Sequence, residues 1–420
     1  MVVRALDIWL IVVVTIALIY TIRHWVFTFS RIYGKQRVSY ADVQEHELPT
    51  VSVLVPMHNE ALVAARCLES LLANDYPASR IEFVAINDHS DDGTAAILDR
   101  YARTDSRVRV VTVEGSRRGK SIALNAALAT VESEIVLVFD ADYMPGQGLL
   151  RTLTSAFVDP KVGAVMGRVV PSNAGRNLLT RLLAMERSGG YQVDQQARYN
   201  LDLLPQYGGT VGGFRRKLIE AIGGFDPFAL AEDTELSATL FLRGSKIVYD
   251  NRAECYEEVP ETWAARFRQL RRWSRGHTRV LWRHFGEIFT ARGLTFWQRL
   301  DTLLLLFSYL LSPLLISGWL AALALFCMGR LPAGGGIVLA FCVVLYNTFG
   351  NFAPLFQVAA AEVLDGSTAE LRLLPYLFFV FPLNAWAVTV GAIDAVGDAF
   401  KGRRGKWEKT ARSAPSGVNP

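Results

Sequence analysis

The stretch Glu134-Ile135-Val136-Leu137-Val138-Phe139-Asp140-Ala141-Asp142 decides the fold. An apolar run rich in β-branched residues reads as a strand buried on both faces, and two carboxylates follow at its end. Outward from it, Thr50–Pro56 (TVSVLVP) and Ile81–Asn87 (IEFVAIN) have the same character, and Arg107–Val113 alternates like a further strand. Helical patterning separates them, over Glu60–Leu72, from Asp92-Gly93 onward, and over Gly119–Thr130. Strands alternating with helices of this length predict βαβ units in a mostly parallel α/β sheet. Ligands of such sheets bind beyond the carboxyl ends of the strands. The candidate site is therefore Pro56–Glu60, Asn87–Asp92 and Asp140–Asp142, each a polar cluster just after a strand.

The chain has 420 residues, of which 51% are hydrophobic and 20% charged, with a mean hydropathy of +0.22. That composition excludes a disordered, collagen-like or disulfide-scaffolded protein. A net charge of +4 gives no ground for nucleic-acid binding. Cys67, Cys255, Cys327 and Cys342 form no CxxC pair, so neither a disulfide framework nor a zinc site is indicated.

The apolar residues are concentrated in Trp9–Phe29, Leu303–Met328, Ile337–Ala359 and Pro375–Val396. Each is near the ~20 residues needed to cross ~30 Å of hydrocarbon. The first run is long and lacks an A-x-A-like site, which favours an anchor over a signal peptide. Arg31, Lys35 and Arg37 follow it, against Arg4 before it, so the positive-inside bias puts the next region in the cytosol of a multi-pass protein of the inner or plasma membrane. The predicted organisation is an anchor (1–33), a cytosolic catalytic domain (34–260), amphipathic interfacial helices (261–300), membrane helices (301–400) and a basic tail (401–420). Three spans after the domain would put that tail outside, against the same bias, so one apolar run is re-entrant or the tail breaks the rule.

Several clusters could do chemistry. Asp140 and Asp142 alternate along the strand, which puts both carboxylates on one side, as Mg²⁺ or Mn²⁺ would need; a solvated turn would also explain them. In Asn87–Thr94 (NDHSDDGT), helix capping accounts for Asp91, Asp92 and Thr94 but less well for Asp88 at the strand end. Lys120 stands at a predicted helix N-terminus, where the dipole disfavours a cation unless an anion binds there. Glu232-Asp233 precedes the helical run Thr234–Arg243 and is either a cap or a catalytic base. Thr262–His284 carries seven arginines interleaved with apolar residues and no acid. It reads as a helix lying on a membrane surface with its arginines toward lipid phosphates. Within it Gln269, Arg272 and Trp273 share one helical face, an arrangement fit to clamp a sugar diphosphate.

In order, PMHNE (Pro56–Glu60), NDHSDDGT, GKSIALN (Gly119–Asn125), DAD (Asp140–Asp142), GGTVGGFRR (Gly208–Arg216), AED (Ala231–Asp233) and QLRRW (Gln269–Trp273) resemble the membrane-bound family 2 glycosyltransferases of GT-A fold. The likeness is to the processive synthases of cellulose, chitin oligosaccharide, hyaluronan and poly-N-acetylglucosamine. It implies a Rossmann-like α/β GT-A domain with transmembrane helices, and an inverting transfer of GlcNAc or glucose from a UDP-sugar to a growing β-linked polysaccharide. Accessory export subunits could assist. It implies that Asp88 holds the uracil or ribose, Lys120 the diphosphate, Asp140 the ribose and Asp142, with Asp140, the metal. It implies Asp233 as the base, with Glu232, Pro56, Glu60, Gly209 and Thr210 at the substrate, and Gln269, Arg272 and Trp273 on diphosphate and acceptor. His89 and Ala231 depart from the pattern, since a small residue and Thr or Ser are common there. No gating loop or regulatory domain follows QLRRW. The alternative is a single transfer to a membrane lipid (diacylglycerol, ceramide or polyprenyl phosphate), because similar motifs occur in ceramide glucosyltransferase-like enzymes. Loss of an acidic motif would have indicated an inactive scaffold, and none is lost.

Overall fold

Short β-branched runs punctuated by glycine, proline and acidic turns build the sheet. Its strands are β1 (Val51–Met57), β2 (Ile81–Asn87), β3 (Val108–Thr112), β4 (Ile135–Val138), β5 (Met144–Pro145), β6 (Val162–Pro171), β7 (Gly212–Arg215) and β8 (Lys246–Glu257). The computed structural model describes residues 1–37, 48–329 and 351–401. The strand order is β3-β2-β1-β4-β7-β6-β8-β5. β3, β2, β1 and β4 run parallel to one another. β7 runs antiparallel between β4 and β6, while β6 and β8 pair in parallel. The buried runs Val53–Val55, Phe83–Ile86 and Ile135–Phe139 form the centre of the core.

The first helix, α1 (Val2–Tyr33), precedes the sheet. α2 (Ala64–Leu72), α3 (Thr94–Thr104) and α4 (Lys120–Leu128) follow β1, β2 and β3, which is the predicted alternation. α5 (Leu149–Ser155) precedes β6; α6 (Leu178–Ser188) continues through a π-helical segment, Gly189–Gln195, into α7 (Gln196–Asn200). After β7 come α8 (Arg216–Ala221) and α9 (Glu232–Leu242), then, after β8, α10 (Trp263–Thr290) and α11 (Phe296–Cys327). The helices Asn351–Leu364 and Leu374–Phe400 complete the described chain.

Among the described residues, three segments are long and apolar enough to cross a membrane: Val2–Tyr33, Phe296–Cys327 and Thr368–Phe400. They cover three of the four predicted runs, save for Met328 at the end of the second. Of the fourth, Ile337–Ala359, residues 337–350 lie outside the described residues, and the remainder belongs to the shorter helix Asn351–Leu364. The tail beyond Lys401 also lies outside them. α1 and α11 run alongside in opposite directions, since Trp9 donates to Ser317 (3.1 Å) and the Tyr20 hydroxyl to the Leu304 carbonyl (2.6 Å). Where they meet the α/β domain, Arg23 and Arg198 pair with Asp194 and Asp301. Two cations matched by two carboxylates can be buried together where an isolated charge could not. A second tie is Asp365, which accepts from Arg168, Ser188 and Gln192. Gln357 reaches the Gly189 carbonyl (3.2 Å). The π-helical segment is thus tied to these helices and the turn after them at Gly189, Gln192 and Asp194.

Two expectations are corrected. Five of the seven arginines of α10 are paired with acids rather than free toward a lipid surface. Arg266 pairs with Glu186, Arg271 with Asp394, Arg275 and Arg279 with Asp398, and Arg283 with Asp226 and Glu235. The acids that neutralise this helix come from distant parts of the chain, chiefly the last helix. The two helices touch closely: a Cβ on Gly391 would lie 2.3 Å from the Arg271 carbonyl oxygen. Secondly, α9 begins at Glu232, so Glu232 and Asp233 sit within its first turn rather than before it. There the helix dipole favours their charge.

Candidate active site

The parallel strands end on a common edge, and β1, β2 and β4 each lead into one of the polar clusters. The loop after β1 is stitched to the loop after β2. The Asn59 N–H donates to Ser90 Oγ (3.1 Å), the Glu60 N–H to Thr94 Oγ1 (2.8 Å) and the Ala61 N–H to Asp92 Oδ2 (3.1 Å). Asp92 also accepts from the Thr94 N–H (2.9 Å), the first N–H of α3, from just before its N-cap Gly93. Asp88 takes no part in this turn; it is buried and faces the neighbouring cavity.

β4 stops at Val138. Asp140 to Tyr143 then form a turn, closed by the Tyr143 N–H on the Asp140 carbonyl (3.1 Å). The two DAD carboxylates therefore do not share a face through strand alternation, as the sequence led us to expect; the turn carries both to the same cavity. Non-glycine residues with positive φ cluster at this edge: Asn59, His89 and Val211, each at 55°. For a β-branched residue such as Val211 this is strained, and such strain persists where the surrounding structure over-determines it.

The cavity has a volume of about 660 Å³. Of the predicted residues, Pro56, Glu60, Asp88, Lys120, Asp140, Asp142, Gly209, Glu232, Asp233, Gln269, Arg272 and Trp273 all line it. Thr210 stands just behind, buried, its Oγ1 accepting from the Asp140 N–H (3.3 Å).

Lys120 is the hub. Its ammonium lies 2.7 Å from Asp140 Oδ1 and 3.3 Å from Glu232 Oε1, and donates to the Gly209 carbonyl (2.6 Å). Burial works against its charge, yet Asp140, Glu232 and Asp233 together raise its pKa above the ordinary lysine value. These carboxylates, rather than a bound anion alone, answer the unfavourable position of a cation at the start of α4. Burial also pushes the Glu232 and Asp233 carboxyls up, with Lys120 opposing the rise in both and Arg272 opposing it at Asp233. Asp233 Oδ1 accepts from the Thr234 N–H (2.6 Å).

Gly209, at φ +89°, leaves room for this arrangement. A Cβ there would lie 3.0 Å from Asp233 Oδ2 and 3.4 Å from Lys120 Nζ. Gly209→Ala is expected to cut activity by at least tenfold while the protein still folds. A turnover assay beside a thermal melt checks this, because a backbone effect alone costs about 1 kcal/mol or somewhat more at such a φ.

Gln269, Arg272 and Trp273 reach the cavity from one face of α10, as their spacing predicts. Among the described residues, Arg268 and Arg272 have no ion-pair partner, unlike most arginines of that helix, and both face the cavity. Trp273 is not bare: the Arg187 guanidinium lies 5.2 Å and that of Arg266 5.8 Å from its ring centre. Sequence reasoning missed much of this wall. Glu186, Arg187, Tyr191 and Asp194 come from α6 and the π-helical segment, Glu257 from β8, His277 from α10 and Tyr309 from α11. Arg187 pairs with Glu257 (2.7 Å). His277 stacks on Tyr309 at 4.4 Å, and burial lowers its pKa to about 3, so it is neutral. A π-helix often marks a functional segment, but its register is not visible in sequence.

The donor set suits a hard divalent cation. Asp140 and Asp142 supply oxygens on one turn, and Mg²⁺ or Mn²⁺ is commonly held by one or two carboxylates plus substrate phosphates. No cluster of three metal-binding side chains occurs among the described residues, so the rest of the shell would come from a phosphorylated ligand and water.

The cavity thus lies at the strand ends, floored by carboxylates around a lysine and walled by arginine and tryptophan. Residues 49–276 match the model of the family described as "Glycosyltransferase like family 2", and the chain belongs to that family. It is an enzyme class that transfers sugars, on a GT-A-type fold. The chain is 34% identical over 273 residues to the probable glycosyltransferase YdaM of Bacillus subtilis, covering 64% of each chain. It is 25% identical to glucomannan 4-beta-mannosyltransferase 7 of Arabidopsis thaliana, over 84% of this chain and 66% of that one. It is 28% identical to the beta-monoglucosyldiacylglycerol synthase of a Synechocystis strain, over 87% and 75%. The chain thus spans just under two thirds of the length of the first two. In structure it resembles the mannosyltransferase PcManGT of Pyrobaculum calidifontis, solved with GDP-mannose and Mn²⁺. The TM-score is 0.59 at 24% identity, covering 86% of this chain and 98% of that one, a likeness of fold.

Proposed function

We propose that this chain is an inverting, membrane-embedded hexosyltransferase that moves GlcNAc or glucose from a UDP-sugar to the growing end of a β-linked polysaccharide. The observation that carries this reading is the meeting of Asp88, Asp140, Asp142, Asp233, Arg272 and Trp273 in one cavity. Asp88 accepts from the base of the nucleotide. Asp142, with Asp140, holds Mg²⁺ or Mn²⁺, whose bound charge offsets that of the diphosphate. A divalent ion is in keeping with the Mn²⁺ of the Pyrobaculum enzyme. Arg272 takes the diphosphate and Gln269 its flank. The acceptor hydroxyl loses its proton to Asp233 as its oxygen bonds to the anomeric carbon. The bond from that carbon to the diphosphate breaks, its electron pair leaves with the UDP, and an α-linked donor gives a β-glycoside.

The basic residues after α1 support a cytosolic domain and a multi-pass chain in the inner or plasma membrane. Residues 34–260 would form the catalytic domain and 301–400 the membrane helices, with export across the membrane. Trp273 would bear the acceptor sugar beside the cations that already flank it. Trp273→Ala is expected to lose polymer extension at least tenfold more than donor hydrolysis, measured by released UDP against elongated product; equal losses would remove the acceptor role.

A second reading, one sugar placed on a membrane lipid, has its own support. The likeness to beta-monoglucosyldiacylglycerol synthase takes in 87% of the chain, and the cavity wall includes Tyr309 on the apolar helix α11. Incubating the protein in lipid with UDP-glucose or UDP-GlcNAc and Mg²⁺ or Mn²⁺, followed by mass analysis, separates the two. A ladder of oligosaccharides supports the first, a single glycolipid the second, and no sugar product with any donor defeats both.

A further inference from the structure

His89 departs from the family pattern, and its geometry gives that departure a role. Its Nδ1 lies 2.8 Å from Asp88 Oδ1 and its Nε2 lies 2.6 Å from the Gly115 carbonyl oxygen. Both partners are acceptors, so both ring nitrogens must carry hydrogen, and the ring that satisfies both bonds is an imidazolium. The other Asp88 oxygen accepts from the Gly119 N–H (2.9 Å). The Val113 N–H donates to the Asn87 carbonyl (3.0 Å). The segment 113–119 is therefore fastened to the end of β2 at both of its ends and in its middle. The residue making the middle bond holds a left-handed backbone at φ 55°, which a histidine adopts only at some cost.

We propose that His89 is a donor-positioning residue: as an imidazolium it locks the segment 113–119 onto Asp88 and orients that carboxylate for a ring N–H of the nucleotide base. This rests on reading the cavity as a nucleotide-sugar site. Each Asp88 oxygen already takes one protein hydrogen and has a lone pair left, so the locked group acts as an acceptor. It favours bases with a ring N–H, uracil or guanine, over adenine and cytosine. The positive ring also offsets the Asp88 charge, which would otherwise repel the base carbonyls beside that N–H.

The groups facing the ring are few. Asp88 and the Gly115 carbonyl favour its charge and Arg118 opposes it, leaving its pKa raised above the ordinary histidine value. His58, from the loop after β1, meets the Asp88 backbone carbonyl (2.6 Å) rather than the ring. A raised pKa means that the lock is intact below the ordinary value and is lost as pH rises through the raised one.

The test is calorimetric binding of UDP-glucose by the full chain in lipid between about pH 5.5 and 8.5; that donor carries no phosphate group titrating in the range, unlike free UDP. The wild type is expected to bind about tenfold more weakly at the alkaline end, the worth of one charge-assisted hydrogen bond. His89→Asn, which tolerates a left-handed backbone but cannot be protonated, is expected to bind at the weak level throughout, with no slope. The His89 ring ¹⁵N shifts are expected to show a midpoint above the ordinary value. Wild-type affinity and slope in His89→Asn, or a neutral His89 ring at pH 6, would overturn the proposal. Asp88→Asn separates the two layers. If it binds as tightly as wild type, the donor-site reading itself has failed. If it binds weakly while His89→Asn matches wild type, only the role of His89 has.

Discussion

Replacing Asp233 by asparagine is expected to lower the transfer rate by about 10²- to 10⁴-fold, the range of a lost general base, while UDP-sugar affinity changes little. Asparagine keeps the oxygen that takes the Thr234 N–H, so the first turn of α9 is preserved. What is lost is the group that can receive a proton. The direction of the Asp233 pKa makes it suited to that task. Burial raises it, with Lys120 and Arg272 opposing, and a carboxylate brought nearer to neutrality is a stronger base than one at its ordinary value. The sign for pH follows: the base must be ionised, so the wild-type rate should fall as pH drops through this raised value. Glu232→Gln is the control. Glu232 is ion-paired with Lys120 at 3.3 Å, so its loss should disturb that cluster and weaken binding more than it slows chemistry. Single-turnover transfer beside donor calorimetry measures both. Wild-type turnover in Asp233→Asn would remove the base assignment and leave the donor site untouched.

The parallel half of the sheet was legible because its information is local. TVSVLVP, IEFVAIN and EIVLVF carry their strand character within seven residues or fewer, and the polar clusters at their ends are adjacent in sequence. The α10 face bearing Gln269, Arg272 and Trp273 was legible for the same reason, since helical spacing alone sets it. The pairing of the α10 arginines was not. Arg275 finds Asp398 across 123 residues, and nothing near Arg275 reveals it, so the arginines read as facing lipid. The wall built by Glu186, Arg187, Tyr191 and Glu257 was missed for a related reason: it depends on a π-helical register and on how β8 crosses it. The DAD turn shows that a correct destination can be reached by another route. The sequence pattern expected alternation, and the chain turns instead, because β4 ends at Val138.

Lys120→Met tests the electrostatic design of the cavity floor, and the expected effects are loss of donor binding and a destabilisation of about 3–5 kcal/mol at neutral pH, the range for removing one partner of a buried pair. Methionine fills a similar volume, so packing changes little. The charge does not: Asp140, Glu232 and Asp233 lose the cation that lies between them, and the Gly209 carbonyl loses its donor. The same three acids then repel one another in a poorly hydrated site, and the Glu232 and Asp233 carboxyls, already raised by burial, titrate still higher than in the wild type. Acids whose folded-state pKa lies above the unfolded value stabilise the fold below the unfolded value and lose that contribution as pH rises through the folded one. The deficit of Lys120→Met should accordingly shrink as pH is lowered toward 4, where the unfolded carboxylates begin to take protons, whereas a packing defect would be indifferent to pH. Thermal melts of the two proteins at a series of pH values decide it. A constant difference across the series would mean that Lys120 serves as filler rather than as counter-charge. A donor affinity equal to wild type at neutral pH would take Lys120 out of the diphosphate site.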